Sequence, residues 1–220
     1  MSATVPFPRR PAAEALGTGR LVLVGTGCVM TNVLAQGALG LAEIALTWGF
    51  LVTALIAMLG GISGAHFNPA VTIALVVTGK RPLTEAVRYV VAQCAGATLA
   101  SLVLLSTLGS VSNLGATLPT VAHGAALAIQ FWLSFVLMAT VLGSTSDERR
   151  GGGGAAIAIG MAVALDVLMV GPPTGASMNP ARSLGPASIG GRWEAHWIDR
   201  TAPIAGMCSA AVVLRWLHGR

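Results

Sequence analysis

Apolar residues in this chain come in long blocks, and charged side chains punctuate them sparsely. Between Arg20 and Glu43 lie 22 uncharged residues, between Glu43 and Lys80 lie 36, and between Arg88 and Asp147 lie 58. A helix rises about 1.5 Å per residue, so about 20 apolar residues cross the hydrocarbon core of a bilayer. The pattern predicts six spans, at 13–36, 43–61, 83–107, 124–144, 154–172 and 196–217. Clusters of Gly, Pro, Arg and Ser separate them: "TGKRP" at 78–82, "TSDERRGGGG" at 145–154 and "GGRW" at 190–193. "DERRGGGG" reads as a flexible exposed loop. Two apolar pieces, 68–78 and 179–189, remain. Each has about eleven residues. A helix of that length reaches roughly 16 Å, half of the core, so each must be re-entrant.

Each short piece follows the second span of a set of three. The chain therefore reads as a single domain, 1–220, built from two copies at about 1–110 and 111–220. Three spans per copy is an odd number, so the second copy enters the membrane from the opposite side. The predicted fold is an all-α membrane protein: six transmembrane helices plus two re-entrant half-helices in an inverted repeat. Such an architecture places its site at the midplane, between the copies.

Both short pieces open on the same tripeptide, Asn68-Pro69-Ala70 and Asn179-Pro180-Ala181, 111 positions apart. Asn is a preferred N-cap, and Pro suits the first helical position because its missing N–H would be unpaired there anyway. Two half-helices starting at the bilayer centre and running outward turn their positive ends toward each other. The non-helical segments before them, "ISGAHF" and "PTGASM", are tolerated at that depth only where they line a wet cavity or pack in protein. Their carbonyls supply acceptors, and the Asn68 and Asn179 amides supply donors. A narrow path of this kind passes small neutral solutes and excludes cations and protons.

Composition supports this. The chain is 54% hydrophobic and 10% charged, against about 25% charged for soluble domains. The net charge of +5 sits at span ends, in Arg9, Arg10, Arg20, Lys80, Arg81, Arg149, Arg150, Arg215 and Arg220. That is the positive-inside pattern, not a phosphate-binding stripe, so no nucleic-acid partner is expected. It places both termini in the cytoplasm of a multi-pass protein of the cell membrane, with the uncharged 108–123 connection outside. No cleavable leader is expected, since the N-terminus is polar and the first apolar run is long enough to stay as a span. Cys28, Cys94 and Cys208 lie in separate apolar runs and read as buried thiols; no metal spacing, cofactor motif or catalytic set stands out.

These motifs resemble the aquaporin, or major intrinsic protein, family over essentially the whole chain. "SGAHFNPAVT" and "GASMNPARS" carry the resemblance, with "AQCAGA" at 92–97 and "HWIDRTAPIAG" at 196–206. It implies one pore per protomer and a homotetramer in the bilayer. Arg182, three residues after Asn179, is too costly at this depth unless it faces the pore or water. In the family this Arg belongs to a four-residue constriction, whose other members map to Trp48, Val167 and Ala176. Water-selective members carry His where Val167 stands. The set here resembles the plant nodulin-like intrinsic proteins, which pass glycerol, ammonia or metalloid acids such as arsenous and boric acid. Carbonyls of "PTGAS" are the expected partners of Arg182.

Other positions depart from the family pattern. Glu14 matches a buried glutamate thought to orient loop amides, while its counterpart Gln130 keeps the hydrogen bonds and loses the charge. Asp166 is an unexpected acid within a span, read as structural or pore-lining. Asp199 and Arg200 are expected to pair with each other near the outer interface. Ser183 and Ala187 resemble water-channel members rather than glycerol facilitators. His66 is placed in the inner vestibule or packed in the wall. The function expected is a passive channel for water and small uncharged solutes that excludes protons and ions. Alternatives are a coupled secondary transporter, a water-only channel and a non-conducting junction protein.

Overall fold

A computed structural model describes residue 6, residues 8–145 and residues 151–217. Arg149, Arg150, Arg220 and half of the expected 145–154 loop, residues 146–150, lie outside the described residues. The described residues are helical, without a strand. In chain order the helices are α1 (Arg9–Leu21), α2 (Gly27–Leu34), α3 (Leu41–Ser63), α4 (Pro69–Val77), α5 (Leu83–Leu108), α6 (His123–Thr145), α7 (Gly151–Thr174), α8 (Pro180–Gly190) and α9 (His196–Leu217). A π turn, Val22–Thr26, joins α1 to α2 within one rod. Among the described residues, α3, α5, α6 and α7 are each long and apolar enough to cross a membrane. The rod 9–34 is split by its π turn, and α9 carries Asp199, Arg200 and Arg215. The spans lie within a few residues of their expected bounds. The glycines expected in the 145–154 loop form the first turn of α7 from Gly151 onward.

Why the two short helices start where they do is plain in their caps. Asn68 and Asn179 are extended, and their side-chain oxygens accept from Ala70 N and from Ala181 N and Arg182 N. Pro69 and Pro180 occupy the first helical position. Each short helix then packs across the molecule. α4 lies on α9 of the second half, and α8 lies on α5 of the first. The outer surface is apolar, with Phe50, Leu99, Trp132 and Met169 exposed, as a lipid-facing bundle requires.

Small residues set the distance between spans. A Cβ on Gly49 of α3 would lie 2.8 Å from Gly160 O of α7, and one on Gly160 would lie 2.5 Å from Gly49 O. Such close backbone approach is how helices associate in lipid, where apolar burial gives no driving force between them. In the π turn, a Cβ on Gly25 would lie 2.5 Å from the Trp48 ring.

The two non-helical segments are held by buried polar groups. Ahead of α4, the Glu14 carboxylate accepts from Ser63 Oγ at 2.5 Å, His66 N at 3.0 Å, Phe67 N at 2.6 Å and Gln93 Nε2 at 2.7 Å. Gly64 turns the chain at φ +92°, and Ala65 and Phe67 are also left-handed, a conformation that costs a non-glycine residue energy. Ahead of α8, Val170 leaves helical geometry, and Pro172 and Pro173 give no N–H to the preceding turn. Here the support differs from expectation. Gln130 makes no bond to a loop amide: it donates to Thr174 O at 3.4 Å and to Asp199 Oδ1 at 3.1 Å. Its own side-chain oxygen is buried without a partner. Asp199 does not pair with Arg200. It is buried on α9 and accepts from Gln130 and Thr117, while Arg200 is exposed. The acid that Gln130 lacks has moved to a neighbouring helix.

Two predictions follow from these contacts. Gly49→Val forces the α3–α7 crossing apart and should lower stability by about 1–3 kcal/mol or abolish folding. Gly61→Ala, at a site with open space around its Cβ position, should be neutral. Thermal unfolding of both variants in detergent checks this. Glu14→Ala leaves four buried donors without an acceptor and should cost at least about 3 kcal/mol; Glu14→Gln should cost less. The midpoint of heat-induced loss of folded protein, compared across the three chains, is the measurement.

Candidate functional site

The helices enclose a cavity of about 630 Å³. It runs past the whole of α3, since Leu41 at the start of that helix and Gly64 at its end both line it. Its apolar wall is two helical stripes. Leu41, Ile44, Trp48, Val52 and Ile56 come from α3, and Ala155, Ile159, Val163, Val167 and Gly171 come from α7. The spacing of three to four residues is that of one helix face. The polar wall comes from the two loops, Gly64 to Asn68 and Gly175 to Asn179, with Arg182.

At the middle the two loops are bonded to each other. Asn68 Nδ2 donates to Met178 O at 2.8 Å, and Asn179 Nδ2 donates to Phe67 O at 2.7 Å. Each amide thus caps its own helix with its oxygen and ties down the opposite loop with one N–H. The remaining N–H of each is unused by the protein, and both residues line the cavity. The expected donors are therefore at hand, one per amide. Pro69, Ala70, Pro180 and Ala181 are buried behind them and are not part of the wall.

On one side of this pair stand the four residues expected at the constriction. Trp48, Val167, Ala176 and Arg182 all line the same cavity. The Arg182 guanidinium lies 5.2 Å from the centre of the Trp48 ring, a cation–π distance. Its Nη1 donates to Gly115 O at 3.1 Å. That acceptor corrects the expectation of a carbonyl in "PTGAS": the 108–123 connection folds back into the bundle instead. Ser112, Asn113 and Leu114 take left-handed conformations there and aim the Gly115 carbonyl inward. Two residues on, Thr117 bonds both Asp199 and Ser183, and Ser183 bonds Ser177 of the second loop.

On the other side, His66 lines the cavity and also packs. Its Nδ1 bonds Thr72 Oγ1 at 3.0 Å, and its ring meets Tyr89 edge-on at 5.0 Å. Glu14 and Gln130 stand behind the loops and do not reach the cavity. Asp166, next to Val167, is buried, is not part of the cavity wall and keeps one carboxylate oxygen without a hydrogen bond. The three cysteines are free and only partly buried, which corrects their reading as core thiols. Among the described residues no cluster of His, Cys, Asp or Glu is arranged for a metal ion. Sequence reading missed Gln93, Thr117 and Asp199 as supports. One signal was present in the sequence, a carboxylate at 199 within an apolar span with a glutamine where its counterpart is acidic.

The profile of the family described as "Major intrinsic protein" matches residues 1–214. Nodulin-26 of Glycine max is 42% identical over 211 residues, covering 96% of this chain and 78% of that protein. Aquaporin NIP1-1 of Zea mays is 40% identical over 212 residues, covering 96% and 75%. The crystal structure of the aquaglyceroporin from Plasmodium falciparum superposes with a TM-score of 0.79 at 24% identity, covering 94% of this chain and 95% of that one. Inverted half-helices, paired Asn-Pro-Ala caps and family profile agree: the chain belongs to the major intrinsic protein, or aquaporin, family of membrane channels.

Proposed function

We propose that the cavity is the path of a passive channel that carries small hydroxylated neutral solutes as well as water. Membership of the family makes the chain a multi-pass membrane channel for water and small solutes, and not an enzyme. The finer reading rests on one observation, the two-sided lining beside Arg182. Trp48 and Val167 form an apolar wall, Ala176 is small, and Arg182 presents a guanidinium whose remaining N–H groups are free for a solute. A molecule with carbon or a metalloid on one side and hydroxyls on the other fits such a wall. Glycerol, boric acid and arsenous acid have that form, and ammonia is small enough to follow. The fold relative from Plasmodium falciparum is described as an aquaglyceroporin, and the sequence relatives as nodulin and aquaporin; these names support a solute-passing channel.

The selecting residues in this reading are Trp48, Val167, Ala176 and Arg182, with Asn68 and Asn179 at the midplane and Glu14, Gln130 and Asp199 behind the loops. The repeat halves are about 1–110 and 111–220. The assembly is a homotetramer in the cell membrane with both termini cytoplasmic, supported by family resemblance and by the basic residues at span ends.

Stopped-flow measurements on proteoliposomes test the reading, with water, glycerol, boric acid, arsenous acid and ammonia as the panel. The expected result is non-saturating flux of water and of at least one hydroxylated solute, independent of a proton gradient. Saturable, gradient-driven uptake would instead mark a carrier. Val167→His adds bulk and a donor at the constriction and should lower the glycerol-to-water permeability ratio by about ten-fold. Arg182→Val removes the donor and widens the opening, so that ratio should hold or rise. A ratio unmoved by Val167→His would place the constriction elsewhere.

A further inference from the structure

The mouth opposite Arg182 is also built of charged and polar side chains. After α4 the segment 78–82 folds back on that helix, with Lys80 N and Arg81 N both bonded to Leu75 O, at 2.9 and 3.2 Å. This fixes Arg81 at the end of the cavity, which it lines together with Lys80 and His66. Its guanidinium is anchored on the far side. Arg81 Nη1 lies 3.5 Å from Glu85 Oε2, and the other oxygen of that buried carboxylate takes Arg10 Nη1 at 3.3 Å. On the near side the guanidinium lies over Gly64. A Cβ there would sit 2.9 Å from Arg81 Nη2 and 3.5 Å from His66 Nε2. Gly64 has no side chain to put between them, and its φ of +92° favours glycine on its own account.

The surroundings repeat those of Arg182. At each place an arginine tethered by one partner, Gly115 O for Arg182 and Glu85 for Arg81, lines the cavity beside an aromatic ring, with apolar residues on the other wall. Here the ring is His66, and Leu75, Val141, Ala155 and Ile159 are apolar members of the lining. Gly64 lies sixteen positions along the chain from Trp48, at the end of α3, about 24 Å at 1.5 Å per residue. The two places are far enough apart for a solute to meet them one after the other.

We infer that Arg81, with His66 and the bare backbone of Gly64, is a second solute-selecting constriction at the mouth opposite Arg182. The inference rests on the cavity being the conduction path. Two constrictions in series have a specific consequence. Widening one leaves the other to reject a larger solute, so selectivity by size fails only when both are opened. A merely structural Arg81 has no such consequence.

The test is the permeability of folded protein in vesicles to water, glycerol and the four-carbon polyol erythritol. The chains compared are the parent, Arg182→Val, Arg81→Ala and the double variant. Each single variant should raise the erythritol-to-glycerol ratio by no more than about two-fold, and the double variant by about ten-fold or more. Arg81→Lys in the Arg182→Val background should restore part of the rejection. If Arg81→Ala does not fold, Glu85→Gln frees the guanidinium without removing it and should replace it in the double variant with the same sense of change. A double variant that matches Arg182→Val alone, with water flux intact, overturns the second constriction and leaves the channel reading standing. A parent that passes water and neither polyol overturns this inference, whereas the solute reading falls only if boric and arsenous acid are rejected as well.

Discussion

Lipid at mid-membrane offers no water to unpaired N–H and C=O groups, and the two non-helical loops of this fold answer to that constraint. Two stretches of the chain leave helical geometry there, 64–68 and 175–179. They are stable because they are bonded to each other and to buried side chains. The two Asn amides are the centre of this. Each caps a half-helix, donates to a carbonyl of the opposite loop and keeps one N–H toward the cavity. The same atoms that hold the loops together therefore set the polarity of the path. In the proposed channel, the pairing of the positive ends of α4 and α8 at this point is what favours neutral passengers over cations.

The supports behind the two loops differ in place and in chemistry. Glu14 serves the first loop directly, accepting two of its amides. For the second, the acid sits on α9 as Asp199, and it works through Thr117, Ser183 and Ser177. That chain of bonds also recruits the 108–123 connection, whose Gly115 carbonyl anchors Arg182. A change at Asp199 is thus coupled to the position of the guanidinium, whereas a change at Glu14 acts first on the cap of α4. The two loops thus rest on different buried carboxylates while being tied to each other by the two Asn amides.

Much of this was legible in the sequence because it depends on local rules. Span lengths follow from the apolar runs, and the start of each half-helix follows from an Asn-Pro pair. Arg182 was placed by its depth beside Asn179, and Trp48, Val167 and Ala176 by the family resemblance, counted from the two Asn residues; all four line one cavity. What was not legible depends on chain folding between distant elements. The acceptor for Arg182 lies 67 positions away, in a connection that carries no charge and no motif. Asp199 looked like half of an ion pair with Arg200, because adjacency in sequence suggests pairing; on a helix adjacent residues point in different directions. The π turn at Val22–Thr26 leaves no periodicity signal, since one extra residue in a uniformly apolar run changes nothing that can be counted.

The central claim is that the bonded loop pair makes a path for neutral molecules and a barrier to charge. Osmotic water flux and proton leak, recorded together on the same vesicles containing the unaltered protein, test it most directly. The account predicts rapid water flux with proton leak no greater than in protein-free vesicles. A proton current that rises in proportion to the water flux as protein is added would contradict it.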